Sequence, residues 1–168
     1  NRVESGNNTL LILSQIELVS FARGLFTLYA EEKAKEKKLT FHFHADREKI
    51  YIQMDAIKLE SILDNLLSNA VKYTPEEGEI TLRLQASDKE VHISVSDTGI
   101  GVPRQDQPYV FQRFFQSPKT AGTKEGTGIG LYLVKTYTEL HGGKVQLSSE
   151  ENKGTAITLT LPVIAMEQ

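Results

Sequence analysis

Asn65, Asn69 and Lys72 recur at spacings of four and three within one apolar-periodic stretch. On a helix, at about 100° per residue, they share one stripe, away from Leu63, Leu66 and Ala70. Two carboxamide oxygens and an ammonium on one face suit a hard cation beside phosphate. Magnesium takes oxygen ligands and is commonly held by few protein groups plus substrate phosphates. Taken alone, the pattern is more often an exposed polar helix face, and the helix by itself does not decide the matter. A second segment, Asp97-Thr98-Gly99-Ile100-Gly101, places a lone carboxylate after an alternating strand and before two glycines. An ionised carboxylate only accepts hydrogen bonds, so it can receive an exocyclic amine such as that of adenine. The glycines let backbone approach a flat ring. Alone, this segment is equally an Asp-initiated turn. A third, Gly126-Thr127-Gly128-Ile129-Gly130-Leu131, opens a helix, where free amides and the positive helix end favour an anion. No Gly-Lys-Ser/Thr follows and no strand–helix–strand unit surrounds it, so it is neither a P-loop nor a dinucleotide fingerprint. With Gly154-Thr155, these segments offer a place for each part of a magnesium nucleotide.

The elements that must position these residues follow from periodicity. An apolar run at residues 10–13 predicts a strand. Residues 16–38 predict a helix (Leu18, Phe21, Ala22, Leu25, Phe26, Tyr29) that ends in a charge run over residues 31–38, expected to be solvated. Phe41 and Phe43 alternate with His42 and His44, and residues 49–53 form another short strand. Asp55 caps a helix carrying Ile57, Ile62, Leu63, Leu66, Leu67, Ala70 and Val71 on one face. Strands are expected at residues 79–86 and 91–96, and a closing hairpin at 145–149 and 155–161. Residues 102–125 lack periodicity apart from Phe111, Phe114 and Phe115, and so long a loop is usually functional. A helix follows over residues 129–140, with glycine at its C-terminal cap. The pattern suggests helices layered on one face of a mixed sheet.

Composition narrows the chemistry. The 168 residues fit one domain with a real core, and a net charge of −3 gives no basic field for nucleic acid or anionic lipid. There is no cysteine, which excludes disulfides and thiolate metal sites. No apolar stretch is long enough to span a bilayer and no signal-peptide pattern opens the chain. His42, His44 and His92 have no metal-spaced partners, and His141 ends a helix where a partly charged imidazole is favourable.

In their order, these segments resemble the catalytic ATP-binding domain of sensor histidine kinases, the Bergerat or GHKL (HATPase_c) fold, over nearly the whole chain. Residues 65–73 resemble the N box, 97–101 the G1 box, 110–115 the F box, 126–131 the G2 box, and Gly154-Thr155 the final glycine-threonine element. The opening Arg2-Val3-Glu4-Ser5-Gly6 is similar to the tail of a dimerisation helix. The resemblance implies an α+β fold: a two-layer α/β sandwich whose mixed, mostly antiparallel sheet of about five strands is covered on one face by about three helices. It further implies a tail at residues 1–8, a catalytic domain at 9–165 and a mobile ATP lid over about 103–127.

Carried over to these positions, Asp97 accepts the adenine amine, Gly99, Ile100 and Gly101 shape its pocket, and Thr155 lies near the base. Asn69 is the principal magnesium ligand and Asn65 a second polar contact to metal or phosphate. Lys72 reaches the phosphates and Tyr73 edges the nucleotide. Gly126, Thr127, Gly128, Ile129, Gly130 and Leu131 fold over the triphosphate, with Phe111, Arg113 and Phe114 at the base of the lid. The implied cofactors are ATP and Mg2+, and Asn65, Asn69 and Lys72 are the implied catalytic set. ATP-hydrolysing relatives carry a water-activating glutamate where Asn65 stands. An amide cannot take a proton at neutral pH, so Asn65 favours transfer over hydrolysis.

Two features depart from the family pattern. Gln116 stands where many relatives have an arginine, with Arg113, Lys119 or Lys124 as possible substitutes. No phospho-accepting histidine followed by an acidic residue occurs in a helical pattern, so the chain resembles a piece of a longer, bacterial protein. The implied activity is ATP-dependent phosphorylation of a histidine on a dimerisation helical hairpin of the same parent, with a response regulator or fused receiver domain downstream. The piece itself would be monomeric and cytoplasmic, without nucleic-acid or direct membrane contact. The parent would be a homodimer anchored in the inner membrane. The alternatives are a GHKL-type ATPase, a serine-directed protein kinase, or a non-catalytic nucleotide-binding module.

Overall fold

Strands form here where apolar side chains alternate, and the alternation fixes which face is covered. Ile80, Leu82 and Leu84 of β4 (Glu79–Ala86) are buried, as are Val91, Ile93 and Val95 of β5 (Glu90–Asp97). The opposite pleat face carries Thr81, Arg83, His92 and Ser94, which are half-buried or exposed. The computed structural model describes residues 10–115 and 130–163. With β2 (Thr40–Ala45), β6 (Lys144–Glu150) and β7 (Gly154–Pro162), these strands form a five-stranded sheet in the order β2-β4-β5-β7-β6. β2 runs parallel to β4 and every other pairing in that sheet is antiparallel. The helices α1 (Leu18–Lys37), α2 (Ala56–Tyr73) and α3 (Gly130–Leu140) share one core with its apolar face. This is the expected mixed two-layer architecture.

A separate antiparallel pair joins β1 (Leu13–Glu17) to β3 (Tyr51–Asp55). The expected strand at residues 10–13 is therefore displaced. Leu10, Ile12 and Leu13 are exposed, and β1 buries only Ile16. Nor does the first helix begin at Ile16. It begins at Leu18 because the Glu17 carboxylate accepts from the amides of Val19 and Ser20, and also from Ile50. Burial pushes the Glu17 carboxyl up, but the Ser20 hydroxyl and these amides hold it down to about 2.

α2 starts as its sequence indicates. Asp55 accepts from Ile57 and Lys58 at 3.1 and 3.2 Å, and also ties down the Ile12 amide at 3.0 Å. Its apolar stripe is Leu59, Ile62, Leu63, Leu66, Leu67, Ala70 and Val71. Ile57, expected on that face, is 79% exposed, because it lies in the first turn off the stripe. At the end of the last helix, His141 Nδ1 lies 2.7 Å from Tyr137 O and its Nε2 accepts the Asp55 amide at 3.1 Å, which ties that helix to the start of α2.

Residues expected to form an irregular loop hold a 3-10 turn at Arg104–Tyr109, followed by Phe114 at φ +66°. No described helix is long and apolar enough to cross a membrane.

Candidate nucleotide-binding site

The central strand β5 ends at Asp97, flanked by Ile80 of β4 and Thr155 of β7. The Asp97 carboxylate accepts the Gly99 amide at 2.8 Å. Burial pushes its carboxyl up to about 6, against the pull of the Gly99 and Thr155 amides. Gly99 has no room for a side chain, since a Cβ would strike the Tyr73 carbonyl and the Asp97 carboxylate. Gly101, at φ +71°, would strike the Glu150 carbonyl. Around this turn, Ile100 donates its N–H to Tyr73 O at 3.2 Å and Asn152 donates to Ile100 O at 2.6 Å. Thr155 Oγ1 lies 2.9 Å from Ser149 Oγ, which also accepts the Val102 amide at 2.8 Å. The turn is therefore held from α2, from the β6–β7 hairpin and by its own carboxylate.

On α2, Asn65 Nδ2 donates to Ser61 O at 2.8 Å and to Ser61 Oγ at 3.2 Å. Its Oδ1 faces the first residue of α3, where a Cβ on Gly130 would lie 2.8 Å away. A side chain at that position would have to displace the Asn65 carboxamide. The Asn69 side chain makes no hydrogen bond to another described residue, and Lys72 Nζ lies 4.7 Å from the Tyr73 ring centroid. Oxygen donors and an ammonium are thus available on one face, as magnesium and phosphate require. Among the described residues no cluster of His, Cys, Asp or Glu could hold a metal alone, so a metal here would depend on phosphate oxygens as well.

A cavity of about 680 Å³ joins the two halves. Asp97, Ile100, Gly101 and Thr155 line it from the sheet side, while Gly99 does not line it and bonds to Asp97 through its amide. Asn65, Asn69, Lys72 and Tyr73 line it from α2, and Gly130 and Leu131 from α3. Three expected residues are placed elsewhere. Phe111 packs against the core, Phe114 is 61% exposed, and Arg113 lies over the rings of Phe114 and Tyr132 at 5.0 and 5.7 Å. Phe115 takes the cavity position instead. Gly126, Thr127, Gly128 and Ile129 lie outside the described residues, as do Arg2, Gln116, Lys119 and Lys124.

Sequence reasoning missed α1 as a wall of this site. Tyr29, Lys33 and Lys37 reach the cavity. Their spacing of four and four puts them on one stripe, a signal split between an apolar position, Tyr29, and two lysines of what read as a solvated charge run. The Tyr29 hydroxyl donates to the Asp64 carboxylate and ties α1 to α2. Burial, and then Asp64, push its phenol above the ordinary range.

Residues 54–165 match the family model described as histidine kinase-, DNA gyrase B- and HSP90-like ATPase. The sensor histidine kinase WalK of Bacillus subtilis is 40% identical over 134 residues, which cover 78% of this chain and 22% of WalK. The chain thus spans about a fifth of that relative. The solved catalytic domain of the histidine kinase ThkA is 27% identical with a TM-score of 0.80, over 91% of this chain and 99% of that one. ThkA in complex with the response regulator TrrA aligns at 26% identity and a TM-score of 0.74, over 90% of this chain and 42% of that one. Full-length ShkA in complex with AMPPNP is 28% identical with a TM-score of 0.80, over 94% of this chain and 33% of ShkA.

Proposed function

We propose a role for this chain from one premise: it belongs to the histidine kinase-, DNA gyrase B- and HSP90-like ATPase family, and its fold is that of histidine kinase catalytic domains. The chain binds ATP with magnesium and presents the γ-phosphoryl group to a histidine on a helical hairpin of the same parent protein. One observation carries this: a single cavity has a carboxylate at the tip of the central strand and Asn65, Asn69 and Lys72 on the facing helix.

Asp97 accepts the adenine amine while Ile100 and Gly101 flank the ring. Thr155, held by Ser149, lies at the base edge. Asn69, with Asn65 beside it, offers amide oxygens to the metal, and Lys72 faces the phosphates. Magnesium, when bound, neutralises charge on the phosphate oxygens. In phosphoryl transfer the protein's task is positioning and electrostatic stabilisation. Asn65 suits that task because its amide holds no proton-accepting group for water. The glycine-rich segment 126–131 is assigned to the phosphates, and the lid to about residues 103–127.

Residues 1–8 are the end of the preceding dimerisation segment and residues 9–165 the catalytic unit. The parent is a dimer anchored in a bacterial inner membrane, and a response regulator or fused receiver domain takes the phosphoryl group onward. The complex of ThkA with a response regulator supports this last step by analogy.

The test is calorimetric titration with ATP, with and without magnesium, followed by phosphotransfer to the parent's helical hairpin. Magnesium-dependent binding and a phosphorylated hairpin histidine are expected. Absence of ATP binding at millimolar concentration would overturn the assignment.

A further inference from the structure

A helix ends with unpaired carbonyls, and the usual remedy is a left-handed glycine turn that folds amides back onto them. α2 has no such turn, because Thr74 follows it in extended backbone at φ −102°. Side chains do the work instead. Thr74 Oγ1 donates to Ala70 O at 2.7 Å. Lys37 Nζ, arriving from α1, donates to Val71 O at 2.8 Å, to Lys72 O at 3.3 Å and to Thr74 O at 3.0 Å. The remaining carbonyl, that of Tyr73, accepts the Ile100 amide at 3.2 Å.

We propose that Lys37 is a positioning residue for the nucleotide. It fixes the turn of α2 that carries Lys72 and Tyr73, and through the Tyr73 carbonyl it fixes the Gly99-Ile100 turn beside Asp97. The inference rests on the assignment of the cavity to ATP. An ammonium has three donors, and all three meet carbonyls here, so Lys37 has none left for a phosphate oxygen. It acts on the ligand through the backbone it holds. The Lys37 carbonyl separately accepts the Glu77 amide at 3.2 Å. This main-chain tie survives Lys37→Met and keeps the end of α1 anchored in the variant.

The experiment compares wild type, Lys37→Met and Thr74→Val by calorimetry with Mg-ATP and with adenosine, and by native-state hydrogen exchange of the Ile100 amide. Thr74→Val removes a bond from the same helix end but leaves the Lys37 contacts in place. Lys37→Met is expected to weaken Mg-ATP and adenosine in parallel, by about tenfold, as the loss of a charged hydrogen-bond set allows. Ile100 should exchange faster in Lys37→Met by more than the loss in global stability accounts for. Thr74→Val should change affinity less than about twofold. Equal effects of the two variants on affinity would overturn the proposal. So would a loss confined to Mg-ATP with adenosine spared, since that marks a direct charge on phosphate. An unchanged Ile100 exchange rate in Lys37→Met would also overturn it, and that readout stands even if the wild-type chain binds no nucleotide, which would sink the ATP assignment alone.

Discussion

Asp97 combines two properties that pull in opposite directions. Its carboxylate is placed to receive a further donor, yet burial outweighs the Gly99 and Thr155 amides and raises its pKa to about 6. Ionised at neutral pH, it therefore costs the ligand-free protein stability, a cost that the amine of the proposed nucleotide would offset. Asp97→Asn should raise the melting temperature of the ligand-free chain at pH 7.5. It should also weaken ATP by at least about tenfold, the scale of one charge-assisted bond left unmade. Differential scanning fluorimetry and calorimetry on one preparation check both. Gly99→Ala should act differently, lowering stability by about 1–3 kcal/mol and affinity together, because the new methyl group has only the Tyr73 carbonyl and the Asp97 carboxylate to displace. A denaturant melt read beside the ATP titration separates the two kinds of loss.

At the scale of elements, α2 was legible because it obeys local rules: an Asp cap, an apolar stripe of seven buried residues and a polar stripe beside it. Asp97 and its glycines were legible for the same reason, since a strand, a carboxylate and a tight turn are contiguous in sequence. Lys37 was not. Its partners lie 34–37 residues away, and only the packing of α1 on α2 converts one lysine of a charged run into a cap. The start of α1 was misplaced because glutamate is an uncommon N-cap, chosen here by its added bond to Ile50. α1 is followed at its C-terminal cap by Lys38, a non-glycine residue at φ +57°. Lys38→Gly should therefore stabilise the chain by about 1 kcal/mol, measured as a shift in the urea midpoint without a change in slope.

At the scale of the whole molecule, pH acts through groups with opposite signs. Asp97 is raised from 3.8 to about 6, so the folded state binds its proton more tightly than the unfolded chain. The stability it contributes is complete below about pH 3.8 and is lost as pH rises through about 6. Glu17, lowered from 4.5 to about 2, does the reverse: its contribution is present above pH 4.5 and lost as pH falls through about 2. The stability gap between Asp97→Asn and wild type should be open at pH 7.5 and narrow towards pH 4, as followed by urea melts across that range. ATP affinity should fall more steeply below pH 6 in the wild type than in Asp97→Asn. The sheet adds a last consequence. Asp97 stands at the end of a strand paired on both sides, whereas Asn65, Asn69 and Lys72 ride on a helix. On the proposed reading, the base half of the cavity should keep its shape without the phosphate half being filled. A flat, uncharged heterocycle with one exocyclic amine should then be enough to occupy it, and an inhibitor of this chain would need neither a phosphate mimic nor a metal.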